Sequence, residues 1–268
     1  AHLLLFETGR LGTLPVSGTE NSLPVVRLDA YNARSLGIFH LKLSPSTLIT
    51  QLHKTALFAK VRTGRSVLDD IPLRDADIFR RFHEGDTAGI SVCMGESQRK
   101  MLRRIKPVTI TDLAVYMQIR WRTLDPAEFT DRYANCVGSP SIPQPLKPYL
   151  TDTRGFLVFD DQLVRIAIGL AGHSTLTALE LLEEIKSTRR EGTRTEVING
   201  LRATSRMAVE EAAAIFEVLI SPSNCTYSRA DALADALHAY MLMWLKVYYP
   251  DDFEHVRSGL GATPARDT

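Results

Sequence analysis

The chain has 268 residues, is 44% hydrophobic, and sets 32 Lys and Arg against 31 Asp and Glu. A chain of this size buries roughly 75% of the surface its unfolded form exposes, which excludes a disordered protein. Balanced charge excludes a global field drawing it to nucleic acid or membrane, so either kind of binding must rest on a local patch. Along the chain, HLLLF, VVRLDA and GIFHLKL read as strands, with GRLGTLPVSGTENSLP as a link broken by Gly and Pro. In the third strand, alternation puts Phe39, Leu41 and Leu43 on one face and Ile38, His40 and Lys42 on the other. Lys42 is therefore expected on the wetter face, beside the start of a helix. Ser44 and Pro45 signal that start, and Leu48, Ile49, Leu52, Ala56 and Val61 trace an apolar stripe along it. DADIFRRF, then GESQRKMLRRIKP with Ser97 as cap, then TDLAVYMQIRWRTL follow as helices, with Tyr116, Met117 and Trp121 read as core. VGSPSIPQPLKP is too rich in proline for regular structure.

GFLVFDD reads as a strand-like run leading into a helix that ends near Gly172. Ser174 caps TLTALELLEEIKSTRRE, whose late basic residues complement the helix dipole. SRMAVEEAAAIFEVLI and SRADALADALHAYMLMWLKVYY complete the fold as long helices, the second with Ser228 and Asp231 at capping-box spacing. GLGATPARDT reads as a frayed end. The expected fold is mainly α with a small β component: strands over residues 1–46, a helical domain over 47–256 and a flexible tail over 257–268.

SQRKMLRRIK carries Arg99, Lys100, Arg103, Arg104 and Lys106 on about two helical turns. Such a face can grip phosphates or an acidic partner. The same residues also serve as ordinary complements to the negative end of a helix. The seven histidines form no HExxH or triad-like pattern, and no glycine loop has the spacing that cradles phosphate. Cys93, Cys136 and Cys225 are far apart and lack metal-ligand spacing, which fits reduced thiols in a cytoplasmic protein. No apolar run reaches membrane-spanning length, and AHLLLFETGR has an acidic residue where a signal peptide needs a longer apolar core.

Three segments, in order, resemble the alpha subunit of bacterial DNA polymerase III, the C-family replicative polymerases. FHEGDTAGI with the following ES, KML and RRIKP is similar to that family's Gly-Asp-Thr, Glu-Ser and basic helix ending in Lys-Pro. LTDTRGFLVFDDQLVRIAIGLAGHS resembles L-x-x-T-Y-G-V-x-V-Y-Q-E-Q-V-M-x-I-A-x-x-L-A-G-Y-S. ADALHAYMLMWLKVYYPDDF resembles Y-A-x-x-A-Y-x-x-x-W-L-K-x-x-Y-P-x-E-F. The resemblance implies the last strands of a palm (1–46) and the first part of a fingers domain (47–256), in a chain truncated relative to the family.

It also implies departures at the positions that do chemistry. The family strand G-L-x-K-F-D-F-L-G-L carries its third metal-binding carboxylate where this chain has Lys42, and an ammonium repels the magnesium that an Asp would hold. Where the family has A-D-x-L-R-R-A-x-x-K-K, this chain has TALELLEEIKSTRRE, with Glu183 and Glu184 in or beside the arginine positions. The family's F-N-K-S-H becomes YSRAD, so Arg229 keeps basic character while Asp231 reads as a helix cap. The leading expectation is a non-catalytic paralogue acting as a binding or scaffolding module in DNA replication or repair. Two other readings are a decoy or self-resistance protein for a polymerase-targeting compound, and one subunit of a split polymerase. No catalytic residue, metal or cofactor is expected. Arg99, Lys100, Arg103, Arg104, Lys106 and Arg229 are the expected DNA or phosphate contacts. The expected partners are DNA, replication or repair proteins and a small-molecule polymerase inhibitor, with no membrane, in the cytoplasm.

Overall fold

The computed structural model describes residues 2–5, 14–20, 23–42, 46–119, 126–135, 142–186, 193–220 and 227–260. Residues 1–47 and 48–268 form two compact units.

In the first unit, β1 (His2–Leu5) pairs antiparallel with β4 (Phe39–Lys42), with His2 opposite Lys42. A separate hairpin joins β2 (Val16–Glu20) to β3 (Leu23–Val26). The stretch read as a broken link thus holds β2 and the start of β3, because Val16 to Glu20 can extend even though Pro and Gly lie close by. The strand expected over VVRLDA stops early: Asp29 accepts from the Asn32 N–H at 2.7 Å and caps α1 (Ala30–Ser35), a helix the alternation pattern hid. The expected faces around the last strand are also reversed at its start. Ile38 is buried and Phe39 is 62% exposed, because the Ile38 N–H bonds Ala33 O and the residue tucks under α1.

The second unit is built from twelve helices among the described residues. They are α2 (Thr47–Thr63), α3 (Ala76–Glu84), α4 (Glu96–Ile105), α5 (Ile110–Ile119), α6 (Pro126–Ala134), α7 (Lys147–Leu150), α8 (Asp160–Ala171), α9 (Thr175–Lys186), α10 (Thr193–Ser205), α11 (Val209–Ile220), α12 (Arg229–Tyr248) and α13 (Pro250–Leu260). They enclose two apolar cores. The first gathers α2 to α6 and α13 around α12, which lies along α5 and buries Ala232, Ala236, Ala239, Tyr240 and Met243. The second gathers α8 to α11. Each fully buried Leu, Ile or Phe in them contributes roughly 1.5–3 kcal/mol. α8 and α10 approach so closely that a Cβ on Gly200 would lie 2.6 Å from the Ala171 carbonyl oxygen, which only glycine permits.

Residues 156–159 form the wall between the two cores. Phe156, Val158 and Phe159 enter the first and Leu157 the second. Among the described residues the strand expected there is extended chain with one parallel bridge, from Phe159 to Tyr227, its side chains taken up by the two cores. Other expectations change locally. Along α2, Leu48, Leu52 and Ala56 are buried, but Ile49 and Val61 are exposed. Their places on the inner face belong to Gln51, Thr55 and Ala59. α4 starts from Gly95 without a side-chain cap, leaving Ser97 exposed within the helix. The proline-rich stretch includes a short helical turn, Gln144–Leu146, leading into α7, since proline suits first-turn positions. α10 and α13 arise where no helix was expected. Of the expected tail, residues 257–260 continue α13, while 261–268 lie outside the described residues, as do Ser44, Pro45, Trp121, Cys136 and Cys225.

Candidate functional site

α4 brings four of the expected phosphate contacts onto one outward face, opposite the buried Met101, Leu102 and Ile105. Lys106 follows as its left-handed cap, φ 49°, with its N–H on Leu102 O. The five cations are not equally available. Arg103 pairs with Glu96 at 3.3 Å and donates to Glu84 O at 3.1 Å. Arg104 pairs with Asp131 at 2.6 Å and reaches Asn135. Arg99 is half-buried, with Nε enclosed and unbonded. Lys100 and Lys106 are exposed.

Arg229 sits elsewhere, in the first turn of α12 behind Ser228, whose hydroxyl accepts from the Asp231 N–H. Its guanidinium pairs with Asp152 and, at 2.7 Å, with Asp161, and lies over the Phe159 ring at 4.6 Å. Burial works against its charge, but hydrogen bonds to Asp161 and Asp152 outweigh that and hold its pKa above the ordinary arginine value. Nη2 is enclosed and unbonded. Arg229, expected as a phosphate contact, thus sits in an ion-pair cluster with Asp152 and Asp161.

Two more ion pairs join elements distant in sequence, and neither partner could be assigned from sequence alone. α3 is capped by Asp75 at one end and by Gly85, φ 69°, at the other. That left-handed cap places Asp86 where Arg81 reaches it at 3.0 Å and Lys246, near the end of α12, at 2.6 Å. Asp112, buried in the first turn of α5, accepts from Arg154 at 2.7 Å, Tyr133 Oη at 3.0 Å, and the N–H groups of Val108 and Thr109. Arg154 also stacks on Tyr133 at 4.6 Å. Gln162 is fully buried. It accepts from the N–H groups of Val158 and Phe159 and donates to Thr153 and Tyr149 O. The only signal in the sequence was opposite charge within recurring motifs, which names no partner.

Lys42 ends β4, and its side chain lies outside the described residues. Asp231, Glu183 and Glu184 are exposed. Among the described residues no group of three or more His, Cys, Asp or Glu could hold a metal ion, and no described helix is long and apolar enough to cross a membrane. A cavity of about 50 Å³ is lined by His173, Glu180, Glu184 and Glu196, with His173 Nδ1 3.9 Å from Glu196.

Residues 47–205 match the family described as bacterial DNA polymerase III alpha subunit finger domain. The DNA polymerase III subunit alpha of Halalkalibacterium halodurans is 26% identical over 241 residues, which cover 87% of this chain and 21% of that protein. The error-prone DNA polymerase of Hahella chejuensis is 27% identical over 241 residues, covering 85% and 23%. The DNA polymerase III subunit alpha of Staphylococcus aureus is 25% identical over 254 residues, covering 92% and 22%. The chain thus spans between a fifth and a quarter of these relatives' length. With more than half of its residues matched, the chain belongs to the family of bacterial DNA polymerase III alpha subunit finger domains.

Proposed function

We propose that this chain works as a non-catalytic binding or scaffolding module in DNA replication or repair, in the cytoplasm, with α4 as its contact for DNA or another phosphate-rich partner. The observation that carries this reading is the state of the two cations at the ends of α12. A residue that grips a nucleotide's phosphates must be able to change partners. Arg229 is already neutralised by Asp152 and Asp161, and Lys246 by Asp86. A triphosphate would have to displace these carboxylates, taking from Asp152 and Asp161 the cation they share and leaving Asp86 with Arg81 alone. Lys42 at a metal-binding position supports the same reading, and a second chain supplying further carboxylates would still meet that ammonium. The exposed Glu183 and Glu184 would repel a triphosphate.

The test is primer extension by the purified 268-residue chain with magnesium, all four deoxynucleotides and a primed template. No extension is expected, while the same preparation binds the template at low salt. Template-directed incorporation that disappears when one of the chain's own carboxylates is replaced would overturn the proposal.

A further inference from the structure

We infer that this chain associates head to tail with a second copy of itself, α9 of one molecule docking on α2 of the next. The inference goes beyond the phosphate-binding reading and does not depend on it. It begins with α2, which carries His53, Lys54, Lys60 and Arg62 but no Asp or Glu. The helix buries one face in the first core and still exposes Leu57 at 50% and Val61 at 78%. Arg62 is engaged by Asp252, and Phe58 packs edge-on against His255. What remains is a strip with Lys54, Leu57 and Val61 at three- and four-residue spacing, and Lys60 on its flank.

α9 carries the complement. It buries Ala178, Leu181, Leu182 and Ile185 in the second core, and exposes Leu176 at 68% and Leu179 at 46%. Glu180 and Glu183 are exposed on the same face. Its one cation, Lys186, pairs with Asp160 at the helix end. Both strips thus have apolar residues at the spacing of a two-helix seam, and their charges are opposite. Among the described residues both strips are exposed, and a second copy is what brings them together. Because the two surfaces differ, each pairing leaves one of each free, and growth continues unless the rotation closes a ring. A seam about 18 Å long, the length of α9, is small, so association is weak and concentration-dependent. An anionic membrane would accept α2 but repel α9, and leaves the acidic strip unaccounted for.

The experiment is sedimentation equilibrium of the whole chain over a wide concentration range at low salt. The average mass is expected to rise from 29.9 kDa past that of two chains, and to fall back with added salt. K54E/K60E and E180K/E183K alter exposed residues only, and circular dichroism checks that each stays folded. Each alone is expected to associate about tenfold more weakly or worse. Mixed in equal amounts, they should recover association, because the two intact surfaces match each other and the two reversed surfaces match each other, so the variants alternate along the assembly. The quadruple swap should restore open growth. A parent that is monomeric throughout overturns the inference. So does association that either double variant leaves unchanged, a mixture that forms no pairs, or binding to phosphatidylglycerol vesicles by a protein that stays monomeric.

Discussion

Lys246 donates to both the carboxylate and the carbonyl oxygen of Asp86, 160 residues earlier in the chain, at 2.6 and 3.0 Å. The contact pins the end of α12 to the turn after α3, and Arg81 reaches the same carboxylate. Lys246 is largely buried and Asp86 about a third exposed, so this pair is partly sheltered from screening. Removing the lysine leaves a carboxylate paired only with Arg81 and also removes the packed stem of the side chain. Lys246→Ala should lower stability by about 2 kcal/mol, within the range for hydrogen bonds to charged groups. Asp86→Asn should cost less, because the carbonyl oxygen still holds the ammonium. Urea midpoints at constant slope measure both. Equal stability of parent and Lys246→Ala would show the contact to be incidental.

The Asp112 network should respond more strongly and less symmetrically. Its carboxylate is nearly enclosed and gathers donors from Arg154, Tyr133, Val108 and Thr109. Asp112→Ala strands a half-buried guanidinium and two N–H groups, at a cost of about 3–5 kcal/mol. Arg154→Met leaves the carboxylate four other donors, from Tyr133, Val108 and both the N–H and the hydroxyl of Thr109, and should cost less than half as much. A double-mutant cycle gives the coupling, which should exceed about 1 kcal/mol. Additive effects would mean that the two side chains do not depend on each other.

Alkaline pH should loosen the junction of α3 with α12. Tyr240 is fully buried; it donates to Pro72 O at 2.6 Å and accepts from the Asp75 N–H. Desolvation raises its pKa above the ordinary 10.0. The Tyr248 hydroxyl donates to the Asp75 carboxylate, and that hydrogen bond raises its pKa too. A raised folded-state value means that the unfolded chain gives up these protons first. The stabilisation is thus complete below pH 10 and is lost as pH rises through the folded-state values. Chemical denaturation at pH 8, 10 and 11 should show a steeper alkaline decline for the parent than for Tyr240→Phe. The phenylalanine variant is less stable at every pH, so the slopes carry the comparison. Identical slopes would remove Tyr240 as the cause.

The helices whose ends are written in side chains were legible in the sequence. Asp75 and Gly85 bound α3, Ser174 starts α9 and Ser228 starts α12, each by a local hydrogen bond or a left-handed cap. α10 was hidden because its charged residues blur the apolar repeat of Val197 and Leu201, which only the second core reveals. Residues 156–159 have strand composition, yet among the described residues they gained two covered faces and one bridge, to Tyr227. At the candidate site, the charge of α4 could be read directly. Most of the pairings could not, because Asp131, Asp152 and Asp161 are brought to their arginines by helix packing rather than by spacing; Glu96 lies two turns before Arg103 on α4 itself.

That distinction shapes the expected behaviour of α4 toward DNA. Cations that release counterions on binding make affinity fall with salt, by nearly one power per phosphate contact on a duplex. Arg103 and Arg104 must first leave Glu96 and Asp131, so they contribute little net charge, whereas Lys100 and Lys106 stand in solvent. Lys100→Glu and Lys106→Glu should each reduce the salt slope for primed DNA by about one, with no change in thermal stability beyond that from the helix dipole. Arg104→Glu should act differently: it sets a second carboxylate beside Asp131 and lowers stability by up to about 1 kcal/mol, an exposed-pair effect. Its effect on binding should be smaller than that of Lys100→Glu. Filter binding at two salt concentrations, with melting curves for each variant, separates the two. If the folded Lys100→Glu/Lys106→Glu variant binds primed DNA as tightly as the parent and with the same slope, α4 is a solvated helix face and DNA is held elsewhere or not at all.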